Sequence, residues 1–145
     1  MASTDLYEKD YYAWAKETAE AIRSGAFNKI DTEALADEVA AIARQERRSL
    51  KSRLEILTCH LLKWDFQKEN RTRSRAATIA IQRRKTMSLL EDSPSLFPWL
   101  TERLPEIYAG AVQLAVKDTN RPEDTFPASC PYTLDEILTT KNVRY

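Results

Sequence analysis

The fold is decided by one stretch, TEALADEVAAIARQERRSLKSRLEILTCHLLKW at residues 32–64, which contains no proline and no glycine. Asp31, directly before it, is a good N-cap for a helix. At 3.6 residues per turn the large apolar side chains fall on one side of that helix. They form a single stripe that we expect to be buried: Leu35, Val39, Ile42, Leu50, Leu57, Leu61 and Trp64. A straight helix of this span is about 50 Å long, so a bend or an overhanging end is expected.

A first helix precedes this stretch. It is predicted to start at a cap, Thr4 or Asp5, and to run to Ser24, because Gly25 is a typical C-terminal stop. Its predicted inner face is rich in aromatic residues and consists of Tyr7, Tyr11, Trp14, Thr18, Ala21 and Ile22.

Two more helices are predicted after the long one. Residues 74–90 form the third helix, and residues 93–99, which include two prolines, form a short turn. The fourth helix should begin near Thr101, because Pro105 is tolerated only within the first turn, and should end near Asp118. The predicted inward residues are Ala76, Ile79, Met87 and Leu90 in the third helix, and Leu100, Leu104, Ile107, Ala111 and Leu114 in the fourth.

The C-terminal segment, about residues 119–145, contains three prolines that exclude a continuous helix. We expect an extended strap packed on the helices, with Phe126 and Tyr132 buried beneath it. Thr133 and Glu136 have the spacing of a capping box, which predicts one last helical turn. The sequence therefore predicts an all-α protein: a single-domain helical bundle, residues 1–145, with about four principal helices and a proline-rich C-terminal strap.

Composition excludes several classes of function. Lys plus Arg equals Asp plus Glu at 22 each, so the basic excess of a typical nucleic-acid binder is absent. One histidine and two cysteines do not supply an all-cysteine or all-histidine zinc site, and two glycines exclude a glycine-rich phosphate loop. No stretch approaches the ~18 apolar residues of a membrane span. We expect a cytoplasmic protein with free thiols, no cofactor, no metal and no membrane contact.

Four polar residues interrupt the apolar stripes of the second and third helices: Glu46, Arg53, His60 and Arg83. Buried carboxylates and guanidinium groups are costly unless they are paired, so we expect Glu46 to meet Arg83 or Arg53. The structural interpretation is a polar layer between helices that fixes their register. The alternatives are a small cleft in which Glu46 acts on a ligand together with His60 or the arginines, and a stripe that is partly exposed.

Charge is unevenly distributed along the chain. Residues 44–85 contain 13 lysines and arginines against 4 acidic residues, a net charge of +9, while the segments before and after carry −5 and −4. The basic helices either lie against acidic neighbours or present a face to polyanions. The candidate polyanion face is formed by Lys68, Arg71, Arg73, Arg75, Arg84 and Lys85.

Several short motifs follow one another along the chain. They are LYEKDYYAW at residues 6–14, HLLKW at 60–64, TI at 78–79 with QRR at 82–84, DSPSL at 92–96, FP at 126–127 and CPYTL at 130–134. Together they resemble the domain of unknown function 29 family from residue 6 to residue 138. The resemblance implies an all-helical bacterial protein and brings no established activity, cofactor or catalytic residue.

Dense amphipathic helices without an assembled catalytic motif favour a non-enzymatic role. We therefore expect a cytoplasmic interaction or assembly module that recognises a protein partner or itself, for example as a homodimer. The alternative is nucleic-acid or other polyanion binding through the basic region from Arg71 to Lys85.

Overall fold

A computed structural model describes residues 2–139, and within them every regular element is helical. The α-helices are α1 (Ala2–Lys9), α2 (Tyr11–Ser24), α3 (Thr32–Phe66), α4 (Arg73–Asp92), α5 (Leu96–Thr119) and α6 (Leu134–Thr139). The prediction of an all-α bundle is confirmed. The packing divides into two compact units, residues 1–46 and residues 47–145, and α3 contributes to both.

The first unit departs from the predicted single N-terminal helix. The helix breaks at Asp10, whose side chain accepts a hydrogen bond from Ala13 N at 3.1 Å and so caps the start of α2. The predicted stop at Gly25 is confirmed, because this residue has a φ of 75° and its N–H donates back to the end of α2. The aromatic pattern of the sequence continues across Asp10 and therefore does not indicate this break.

The long helix α3 is continuous and begins where the sequence predicts. Asp31 Oδ1 accepts a hydrogen bond from Ala34 N at 3.1 Å. The apolar stripe is buried only in the second unit, at Leu50, Leu57, Leu61 and Trp64.

The prediction that Val39 and Ile42 are buried is wrong, since both are exposed. They are exposed because α3 contacts α1 and α2 through a different face. Glu38 lies on that face and accepts hydrogen bonds from the hydroxyls of Tyr7 and Tyr11, each at 2.5 Å. The part of the predicted inner face of the first helix that is buried is Trp14, Thr18 and Ala21, while Tyr11 and Ile22 are exposed.

The second unit has a core formed by α3, α4, α5 and α6. Thr72 caps α4, and α5 begins at Leu96, five residues before the predicted start. Pro105 therefore lies inside α5 rather than in its first turn. The proline leaves the Thr101 carbonyl without its helical donor, but Thr101 is exposed and water can take the place of that donor.

Residues 119–139 of the predicted C-terminal strap pack on this core, and residues 140–145 lie outside the described residues. Phe126, Leu134, Ile137 and Leu138 are buried, whereas Tyr132, also predicted to be buried, is half-buried. Thr133 Oγ1 accepts a hydrogen bond from Glu136 N at 3.1 Å, which confirms the predicted cap of α6. The strap therefore closes one side of the second unit, and its placement creates the groove described next.

Candidate functional site

A groove with a volume of about 1130 Å³ lies between α5 and the C-terminal strap. Its apolar walls are formed by Leu104, Pro105, Tyr108, Ala109, Val112, Phe126, Pro127, Ala128, Cys130 and Tyr132. The charged side chains that line it are Glu123 and Asp124, both acidic and both exposed. Thr101 and Ser129 add hydroxyl groups. An apolar concave surface with a few polar groups is the usual form of a binding site.

Two tyrosines hold the strap in the position that forms the groove. Tyr108 of α5 donates a hydrogen bond to the carbonyl oxygen of Pro127 at 2.5 Å. Tyr132 of the strap donates to Asp65 Oδ2 of α3 at 2.6 Å, and burial raises the pKa of its hydroxyl. The strap is thus tied to two different helices, α5 and α3.

The groove offers contact surface rather than an activated nucleophile. Burial raises the pKa of the Cys130 thiol, and Cys130 Sγ donates to the carbonyl oxygen of Tyr132 at 3.3 Å. Burial also raises the pKa of the Tyr108 hydroxyl. A thiol that stays protonated is a poor nucleophile. The groove can therefore contact a ligand without attacking it, and its apolar walls with Glu123 and Asp124 suit apolar side chains next to a positive charge.

A smaller crevice of about 150 Å³ lies beside the only histidine of the sequence. It is lined by His60, Lys63, Trp64, Arg75, Thr78 and Ile79. Burial lowers the pKa of His60, and the positive charges of Lys63 and Arg75 lower it further against the opposing effect of Asp118. Burial and the neighbouring cations Lys63 and Arg75 thus both favour the neutral form of His60.

The neighbouring Cys59 does not form a catalytic pair with His60. Its thiol lies 3.9 Å from Asp118 Oδ2, an atom that also receives a hydrogen bond from Lys63 Nζ at 3.0 Å. Burial raises the pKa of Cys59 to about 11. The side chain is a buried thiol on the α5 side of α3, and this contact gives it a structural role.

The structure places the four residues of the predicted polar layer in half-buried positions. Arg53 Nη1 donates to Gln82 Oε1 of α4 at 3.5 Å. Arg83 Nε donates to the carbonyl oxygen of Ile137 in α6 at 2.9 Å. Glu46 is the last residue of the first unit, so its pairing with Arg83 stays a prediction.

The six residues of the candidate polyanion face occupy different environments. Lys68, Arg73, Arg75, Arg84 and Lys85 are exposed. Arg71 is half-buried, with its guanidinium 4.9 Å from the centre of the Trp64 ring and its Nε donating to the Trp64 carbonyl oxygen at 2.9 Å. At 100° per residue Arg73 and Arg75 lie about 200° apart around α4. The structure therefore gives Arg71 a contact within the fold and separates Arg73 from Arg75.

Two sets of side-chain hydrogen bonds between distant residues are not indicated by the sequence. One is the pair of tyrosine hydroxyls on Glu38, where hydrogen bonding to Tyr11 and Tyr7 lowers the pKa of the carboxyl. The other is the bond from Tyr132 to Asp65. Tyr7 and Tyr11 have helical spacing in the sequence although they lie in α1 and α2, and nothing in the sequence identifies their acceptor.

Neither a metal cluster nor a membrane-spanning helix occurs within residues 2–139. No group of three or more histidine, cysteine or acidic side chains in that range is placed to hold a metal ion. No helix in the same range is both long and apolar enough to cross a bilayer.

Comparison with known proteins gives one finding. The family model described as "Domain of unknown function DUF29" matches residues 6–142. No curated protein and no solved structure matches the chain. The match covers nearly the whole sequence and agrees with the resemblance drawn from the motifs, so the chain belongs to the DUF29 family.

Proposed function

We propose that the chain is a non-enzymatic, cytoplasmic protein-interaction module whose groove between α5 and the strap binds a short segment of a partner protein. The observation that carries this proposal is the groove itself, about 1130 Å³ with mostly apolar walls and an acidic edge. A cytoplasmic location is supported by Cys59 and Cys130, which are free thiols.

The chemistry of the groove defines the segment that fits it. Leu104, Val112 and Phe126 offer an apolar wall, so the segment should carry at least one large apolar side chain. Glu123 and Asp124 are the charged residues that line the groove, and both are negative. A lysine or arginine beside the apolar side chain therefore matches the edge of the groove and disfavours acidic competitors.

A photo-crosslinking amino acid at position 109, in the cells from which the chain comes, tests this proposal. Ala109 is exposed and lines the groove, whereas Lys117 is exposed on the same helix and does not line it. We expect a defined crosslinked polypeptide from position 109 and none from position 117. Asp124→Lys should weaken the crosslink strongly, because it reverses the charge at the edge.

Glu102→Lys is the matched control, since Glu102 is an exposed acidic residue of α5 outside the groove. It should leave the crosslink unchanged. Equal crosslinking from positions 109 and 117, or no difference between the two charge reversals, would contradict the proposal.

Polyanion binding is the second candidate function, and the crevice beside His60 favours it. Lys63 and Arg75 line that crevice, while Arg73 and Arg84 are exposed on the other side of the same helix. Binding to mixed-sequence DNA and RNA should weaken steeply with salt, and Arg75→Ala should reduce the salt slope more than Arg73→Ala does. Binding that is undetectable at low ionic strength removes this candidate.

A further inference from the structure

The first unit carries an apolar helix face in contact with water. Val39 has 57% and Ile42 has 64% of its surface exposed, and the two are three residues apart on α3. Ala36, Ala40 and Ala43 are exposed beside them. One flank of this face is occupied, because Glu38, about 100° from Val39 around the helix, binds Tyr7 and Tyr11, and Ala34 beyond it is buried. Exposed apolar faces of this kind mark interaction surfaces.

The charges along the edge of this face are separated by sign. Glu33 lies near the N-terminal end of α3, and Arg44 lies about three turns later on the same edge. Both side chains are exposed. Parallel pairing of two identical helices would bring like charges together at both positions. Antiparallel pairing brings opposite charges together twice.

We propose that residues 33–44 of α3 form a self-association surface on which a second copy of this chain docks antiparallel, centred near Val39. Glu33 precedes Val39 by six residues and Arg44 follows it by five. A pairing centred there places Glu33 of each copy beside Arg44 of the other, with the apolar face between them. A partner of a single charge sign would match only one end of this edge, so the second copy is the occupant that the charges favour.

The size of the face determines the strength of the association. Residues 33–44 span about 18 Å of helix, and a helix is ~10 Å wide. A face of these dimensions falls short of the ~800 Å² per partner of a standard stable interface. The dimer should therefore be reversible and depend on protein concentration. The surface lies apart in sequence from the α5 and strap residues of the groove, so the two proposals can fail independently.

Sedimentation velocity of the full chain over a concentration series tests the proposal. The chain should shift from a 16.7 kDa monomer to twice that mass as concentration rises. Val39→Glu should raise the dimer dissociation constant at least ~100-fold, because the dimer loses two buried valines and gains two buried charges. Far-UV circular dichroism checks that this variant keeps its helices.

Charge reversal separates antiparallel docking from other arrangements. Glu33→Arg and Arg44→Glu should each weaken the dimer, and the double variant should restore it, since the pairs are then reversed but still opposite. Glu8→Arg reverses an exposed acidic residue of α1 and serves as the control that should change nothing. A chain that stays monomeric, a dimer that survives Val39→Glu, or single reversals that match the wild type would each overturn the proposal.

Discussion

Removing one oxygen from Tyr132 tests the link between the strap and α3. The Tyr132 hydroxyl donates to Asp65 Oδ2 at 2.6 Å, and the ring is half-buried. Hydrogen bonds to charged groups contribute about 1.5–3 kcal/mol to stability. Asp65 is half-buried, so water replaces part of the lost bond in Tyr132→Phe. We therefore expect Tyr132→Phe to lower the free energy of unfolding by about 1.5 kcal/mol, the lower end of that range, and to lower Tm by about 3–5 °C.

Urea unfolding followed by tryptophan fluorescence and circular dichroism measures this loss. Tyr12→Phe is the control, because Tyr12 is exposed and its substitution should change the free energy of unfolding by less than about 0.5 kcal/mol. Tyr132→Phe should also be nearly neutral in an Asp65→Ala background, where the acceptor is gone. An equal loss in both backgrounds would refute the reasoning, since the effect would then come from packing rather than from the hydrogen bond.

Three further predictions concern the second unit and the polar layer. A Cβ at Gly110 would lie 2.7 Å from Glu55 Cδ, so Gly110→Ala should leave the stability of the wild type nearly unchanged. In a Glu55→Ala background the gain in helix propensity is unopposed, and the same substitution should stabilise the protein by about 1 kcal/mol. Equal effects in the two backgrounds, measured by urea unfolding, would contradict this. The pKa of His60 is lowered from 6.5 in the folded protein, so the unfolded chain binds the proton first and stability should fall as the pH drops through 6.5. Between pH 8 and pH 5 the Tm of His60→Gln should therefore change less with pH than the Tm of the wild type. Glu46→Ala and Arg83→Met should show a coupling energy in a double-mutant cycle if the polar layer forms, and additive losses would reject the pairing.

Features that depend on neighbouring residues in the chain were predictable. Asp31, Gly25 and Thr133 act at helix ends where the sequence places them, because a cap needs only a side chain or a φ angle and the adjacent backbone. The helical periodicity likewise predicts the buried stripe at Leu57 and Leu61.

Features that depend on the surroundings of a residue were not predictable. Pro105 was expected at the start of a helix, yet it lies inside α5, where Thr101, the residue whose carbonyl loses its helical donor, is exposed. Asp10 was not expected to cap a helix, because the sequence around it continues the aromatic pattern. The exposure around Pro105 and the helix break at Asp10 depend on how the chain folds, so rules based on neighbouring residues do not predict them.

The groove could not be predicted from the sequence either, because it depends on contacts between residues that are far apart in the chain. The prolines of the tail predict an extended strap, and the strap forms, but the groove exists because Tyr108 and Tyr132 tie that strap to α5 and α3. The tyrosines are separated in sequence from their acceptors Pro127 and Asp65 by 19 and 67 residues. Spacing over such distances carries no periodic signal.

The stripe of α3 is the feature that joins fold and function. The same period that buries Leu57 in the second unit places Val39 and Ile42 in water in the first. A side chain's position on a helix face is a property of the sequence, whereas its burial is a property of what packs there. Exposed valine and isoleucine gain little in the monomer, since their apolar surface remains hydrated. An apolar stripe beyond the core therefore contributes to stability only when something covers it, and the proposed docking of a second copy would cover Val39 and Ile42.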